Sequence, residues 1–151
     1  MPKIEQSVVI DAPIEHVYRI ARDVETFPQF MQDLRSLTLV ERSPDGERTV
    51  TEWVGLIREF KMTIKWTQED QWDAATHRDV FKMLHGDMDS MSGVWQFTPE
   101  DEGRTRFDSS VEYEYNVALI GPMVKNLIKK KMTDNLEATL KAIKQKSEES
   151  V

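Results

Sequence analysis

The most regular alternation of apolar and polar positions lies near the end of the chain. Between 121 and 146 apolar residues recur at Val124, Leu127, Ile128, Met132, Leu136, Leu140 and Ile143. This is the i, i+3, i+4 spacing of one buried helical stripe. The other face carries Lys125, Lys129, Lys130, Asp134, Glu137, Lys141 and Lys144. Pro122 stands where a first-turn proline is tolerated. The spacing predicts a helix of about seven turns, and so long a stripe needs a broad apolar surface to lie on.

Upstream the period shortens to two. Residues 3–11 alternate and read as a first strand, stopped by Asp11 and Pro13. Pro13 then opens a short helix with Val17, Ile20 and Ala21 on one stripe, and a second short helix is predicted over 24–33. Strand patterns follow at 36–42, 47–56 and 60–68, the first two joined by the turn Ser43-Pro44-Asp45-Gly46. In 60–68, Phe60, Met62, Ile64 and Trp66 share one face. Residues 70–76 read as a connection, and 77–85 as a strand of open register because Val80 and Phe81 are adjacent. Met91, Gly93, Trp95 and Phe97 share a face of the next strand, and Phe107, Val111, Tyr113 and Tyr115 a face of the last. Residues 147–151 are expected to fray. The predicted order is β, α, α, six β, long α, in one domain spanning 1–151. Short turns between successive strands imply antiparallel neighbours. The fold class expected is α+β, a curved antiparallel sheet of about seven strands around a C-terminal helix.

Composition narrows the function classes. The formal net charge of −7 argues against a nucleic-acid partner. With no cysteine, disulfides, thiolate metal sites and thiol nucleophiles are excluded. No glycine-rich phosphate loop, catalytic serine motif or metal-ligand spacing occurs. His77 and His85 lie at opposite ends of one predicted strand, roughly 26 Å apart at full extension, too far to share an ion. Neither cofactor nor metal is expected. The N-terminal segment has no apolar run of secretory type, and a cytoplasmic location is the expectation.

The inward faces are rich in aromatic rings and methionine. A curved sheet facing one helix encloses volume that such side chains either fill or line, and methionine suits ligands of variable shape. Phe27, Phe30, Met31, Met62 and Trp66 are candidate lining residues, with Met91, Trp95, Phe107 and Tyr113. On the long helix, Met123, Val124, Leu127 and Ile128 are expected to face the ligand, and Leu136, Leu140 and Ile143 to pack as core. For acid–base chemistry the candidates are Glu52 and Tyr113. Glu52 shares parity with Val50, Val54 and Leu56, while Trp53 supports the other register equally. Arg58 and Tyr115 are further hydrogen-bond donors.

Several local motifs resemble the polyketide cyclase/dehydrase and START-like superfamily, the helix-grip fold. They are IDAP at 10–13 with Val17, VETFPQF at 24–30, Trp66 with Trp72 and Asp73, Gly86, MSGVWQF at 91–97 and GRT at 103–105. Each is weak alone; together, in this order, they cover essentially the whole chain. The chain is similar to both the aromatase/cyclase and the coenzyme Q-binding branches, and the 91–97 segment leans toward the first. The resemblance implies an apolar tunnel between sheet and C-terminal helix. The aromatase/cyclase branch implies a pocket arginine and tyrosine; the nearest strand position here carries Lys65, on the outward face.

Three readings follow. The favoured one is binding of a hydrophobic small molecule: a lipid, an isoprenoid quinone or a polyaromatic, polyketide-like compound. The second is an aromatase/cyclase or dehydratase acting by acid–base chemistry in the same cavity. The third is a ribosome- or protein-associating module, because Lys125, Lys129 and Lys130 form a local basic patch suited to a transient membrane or protein contact.

Overall fold

A computed structural model describes residues 2–57, 61–115 and 122–150. Arg58, Phe60, the connection 116–121, Val151 and the side chains of Pro122 and Val124 lie outside the described residues.

The seven strands form one antiparallel sheet: β1 (Lys3–Ile10), β2 (Leu34–Arg42), β3 (Arg48–Ile57), β4 (Met62–Asp73), β5 (Arg78–Gly86), β6 (Ser90–Glu100) and β7 (Arg104–Glu114). Their spatial order is β1-β7-β6-β5-β4-β3-β2. The chain therefore crosses from one edge to the other between β1 and β2, and α1 (Ile14–Arg22) and a 3-10 segment (Val24–Gln29) make that crossing. The long helix α2 (Pro122–Glu149) packs against β1 and α1. This is the α+β order of elements that the period pattern predicts and the helix-grip architecture that the family resemblance implies.

Local chemistry explains the boundaries. Pro13 is the N-cap of α1, and its carbonyl accepts from the amides of His16 (3.0 Å) and Val17 (3.1 Å). The second short helix is a 3-10 segment ending at Gln29 rather than a helix over 24–33. Pro28 has no N–H to give to the preceding turn, so the α pattern cannot propagate there. Gly46 has φ +75° and closes the β2–β3 turn with its amide on Ser43 O at 2.9 Å.

Two further sequence expectations change. Residues 70–76 are not all connection, because β4 continues to Asp73. The last residues do not fray before 150: Ser147 is fully buried, its carbonyl is 3.0 Å from His16 Nε2, and Glu148 accepts from the Asp11 amide at 2.8 Å. Lys144 reaches both Val9 O and Glu148. These contacts tie the end of α2 to β1 and α1.

The solid core sits at that end of the molecule. Phe97 and Phe107 stack with centroids 4.5 Å apart, and Ile10, Val17, Leu140 and Ile143 are buried with them. The other half of the concave face is less completely filled.

Candidate functional site

Between the sheet's concave face and the middle of α2 lies a cavity of about 420 Å³. The register of each strand decides what faces it. In β3 the inward residues are Trp53, Gly55 and Ile57; in β4 they are Ile64, Trp66, Gln68 and Asp70. Trp53 and Trp66 are cross-strand partners and stack with centroids 5.5 Å apart, 13° from parallel. In β5 Phe81 faces in and Val80 is exposed, which settles the register left open by the sequence. Gly93 lies opposite Phe81 on β6. A Cβ there would stand 2.5 Å from Phe81 Cζ, so glycine makes room for that ring. Met132, Asn135, Leu136 and Thr139 of α2 close the far side.

Of the residues singled out from sequence, Phe30, Met31, Trp66, Met91 and Trp95 line the cavity. Phe27, Phe107 and Tyr113 are buried in the packed core instead, and Met62 packs partly buried against it. The helix expectation is displaced by about two turns. Met123 is 84% exposed, Leu127 is 38% exposed, and Ile128 is buried away from the cavity. The helix lining begins at Met132 and includes Leu136, which was expected to be ordinary core. Leu140 and Ile143 are core.

Glu52 is exposed. Its neighbour Trp53 turns into the cavity, and period-two alternation therefore sends Glu52 out to solvent. Of the two registers that the sequence left open, the strand takes the one that keeps the Glu52 carboxylate in water. Tyr113 is buried, and burial raises its hydroxyl pKa. Lys65 is exposed, as its parity implies.

The polar groups in the cavity are ones the sequence reading passed over. Trp66 Nε1 donates to Gln68 Oε1 at 2.9 Å, and Gln68 Nε2 donates to Asp70 Oδ1 at 3.0 Å. Asp70 stands opposite Phe81, and Asp79 opposite Trp72, which makes the two aspartates diagonal neighbours on one face. Asp79 is 1% exposed and Asp70 4%. As two ions they only accept, and neither Asp79 oxygen has a partner. A proton on Asp79 supplies the missing donor and bonds it to Asp70. Burial first, then that hydrogen bond and the charge of Asp70, push the Asp79 pKa well above the ordinary carboxyl range. Burial also raises Asp70, against the hydrogen bonds from Asp79 and Gln68. The pair thus holds its proton above the ordinary carboxyl range. The signal for Asp70 was available: Ile64, Trp66, Gln68, Asp70 and Trp72 keep a single parity through the stretch read as a connection.

The arrangement can hold an apolar, ring-bearing molecule against stacked indoles and present it with one carboxyl pair. Residues 10–140 match the model of the polyketide cyclase/dehydrase and lipid transport family. The chain belongs to that family. A protein of known structure from Thermus thermophilus is 32% identical, with 97% of each chain covered and a TM-score of 0.89. An aromatase/cyclase from Streptomyces sp. R1128 superimposes with a TM-score of 0.88 over 97% of this chain and 93% of its own, at 18% identity, a likeness of fold. The ribosome association toxin RatA of Escherichia coli (strain K12) is 23% identical over 121 residues, 80% of this chain and 73% of that protein. No helix among the described residues is long and apolar enough to cross a membrane.

Proposed function

We propose that this family member binds an apolar, ring-bearing small molecule in the cavity between its sheet and α2. The observation that carries the reading is the cavity's composition: about 420 Å³, walled by tryptophan, phenylalanine, leucine and methionine, with Gln68, Asp70 and Asp79 gathered at one place. Ligand sites are mostly apolar with a few placed polar groups. Trp53, Trp66 and Trp95 line the space and report on its occupancy. Titrating the purified protein with a flat polyaromatic should quench tryptophan emission saturably, and native mass spectrometry should show one ligand per chain. The absence of both a saturable change and a retained ligand would refute this reading.

One observation favours catalysis as a second reading. Asp70 and Asp79 share a buried proton, and a carboxyl pair of that kind can protonate a leaving hydroxyl or accept a proton beside a ketone. A cyclase or dehydratase acting on a polyketide-like substrate would then depend on Asp79, and Asp79→Asn should abolish turnover of a poly-keto chain. Ribosome association, for which the E. coli relative is named, would fall to the exposed Lys129 and Lys130 of α2. Co-sedimentation with ribosomes, lost on replacing both lysines by glutamate, would test it.

A further inference from the structure

The least satisfied polar group in the cavity is Asp79. Both its oxygens are buried; the proton shared with Asp70 pairs one and leaves the other without a partner, and the residue lines the cavity. Buried polar atoms are paired in nearly all folded proteins, so an orphan at a cavity wall marks a partner supplied from outside the chain. Among the described residues no cationic side chain pairs with Asp70 or Asp79. Arg22 of α1 is engaged by Gly46 O, and Lys141, the cation on the cavity's helical side, pairs with Glu137 at 2.8 Å. The surroundings of Asp79 are aromatic: Trp72 is its cross-strand partner on β4, Trp95 on β6, and Phe81 follows two residues on.

We propose that this corner of the cavity is an ammonium site, in which Asp79, with Asp70 beside it, receives the protonated amine of a ligand whose ring-bearing body lies along Trp53, Trp66 and Leu136. The proposal rests on the cavity being a ligand site and names the class of ligand it takes: an aryl-alkyl amine.

Charge selects this head group over a neutral one. Trp95 Nε1 is also buried without a partner, so a ligand hydroxyl could accept from it and donate to Asp79. A hydroxyl leaves uncompensated any negative charge that the carboxyl pair carries in an apolar enclosure. An ammonium neutralises that charge, and its three N–H donors match the acceptors on Asp79 and Asp70. Indole faces beside the site add cation–π attraction. An entering cation also favours loss of the shared proton. The groups whose charges bear on that step are Asp70 and Glu69 on β4, Tyr18 and Arg22 on α1, and Lys141 with Glu137 on α2. Glu69 is already neutralised by Arg48 at 2.8 Å.

The test uses three ligands with one body: naphthylmethylamine, naphthylmethanol and methylnaphthalene, each titrated calorimetrically into the whole protein. The amine should bind at least about tenfold more tightly than either neutral compound, the scale of one charge-assisted hydrogen bond. Repeating the amine titration in buffers of different ionisation enthalpy should show up to about one proton released. Replacing both carboxyls, Asp70→Asn with Asp79→Asn, should bring the amine-to-alcohol ratio near one, while Glu52→Gln, on the outer face, should keep it. An alcohol that binds as tightly as the amine, or a ratio that survives replacement of both aspartates by asparagine, overturns the ammonium site and leaves the cavity reading standing. Failure of all three to bind overturns both.

Discussion

Asp79 determines the acid–base behaviour of the fold as well as of the site. A carboxyl whose folded pKa lies above its unfolded value binds its proton more tightly when folded. Its contribution to stability is therefore complete below the unfolded pKa, about 4, and is lost as pH rises through the folded pKa. Burial and the neighbouring Asp70 raise Asp79 in this way. Melting temperature should fall as pH rises above about 4, and Asp79→Asn should remove much of that fall. Asparagine keeps a donor for Asp70 and carries no charge to bury. The variant should be more stable than the parent at neutral pH, with the gap closing toward pH 4; parallel melting curves at every pH would contradict the account. Gln68 and Asp70 were legible in principle, since parity carries on from Ile64 and Trp66. Polar residues near a presumed strand end suggested a turn, and only the ladder to β5 shows the strand continuing. Glu52 shows the converse: the strand was predicted, but one step of register separates the cavity from water.

At the scale of elements, α2 has two roles divided by face: Asn135, Thr139, Ala142 and Gln145 line the cavity on the same turns from which Leu140 and Ile143 enter the core. The apolar stripe contributes Met132 and Leu136 to the cavity and Leu140 and Ile143 to the core, so its pattern does not mark which residues meet the cavity. The division is set by what lies across from each face of the helix. Leu140 and Ile143 belong to the core cluster that also holds Val17 and Ile10, whereas Met132 and Leu136 look across the concave sheet. Leu136→Trp should fill part of the cavity and weaken ligand binding by about tenfold or more, with a small change in melting temperature. Leu140→Ala should cost about 2–5 kcal/mol of unfolding free energy and leave ligand affinity nearly unchanged. Leu127→Trp should alter neither greatly, because Leu127 is part-exposed and off the cavity. Denaturant titrations paired with binding isotherms on the three variants check the division; equal loss of binding in all three would refute it.

For the whole molecule, the sheet's curvature leaves a space that α2 covers but does not fill. An unfilled apolar space forgoes packing contacts, and a ligand restores them. A ligand present at about one hundred times its dissociation constant stabilises by about 2.7 kcal/mol. For a chain of this size that is a rise of roughly 5–10 °C in melting temperature, measurable by calorimetry with the naphthalene series. No rise at concentrations up to about one hundred times the dissociation constant measured by titration would mean that the ligand does not bind the folded chain at this site. Periodicity alone determined the order of elements, the antiparallel hairpins, the apolar inner face and the long amphipathic helix, because each depends on neighbours within a few residues. The family motifs are local in the same sense. Only the tertiary structure decided that Trp53 and not Glu52 faces inward, that the cavity meets the middle of α2, and that Asp70 and Asp79 share a corner. Those facts depend on register between strands and on which turn of a helix lies over which strand. A one-residue shift reverses the first, and no local pattern encodes the second.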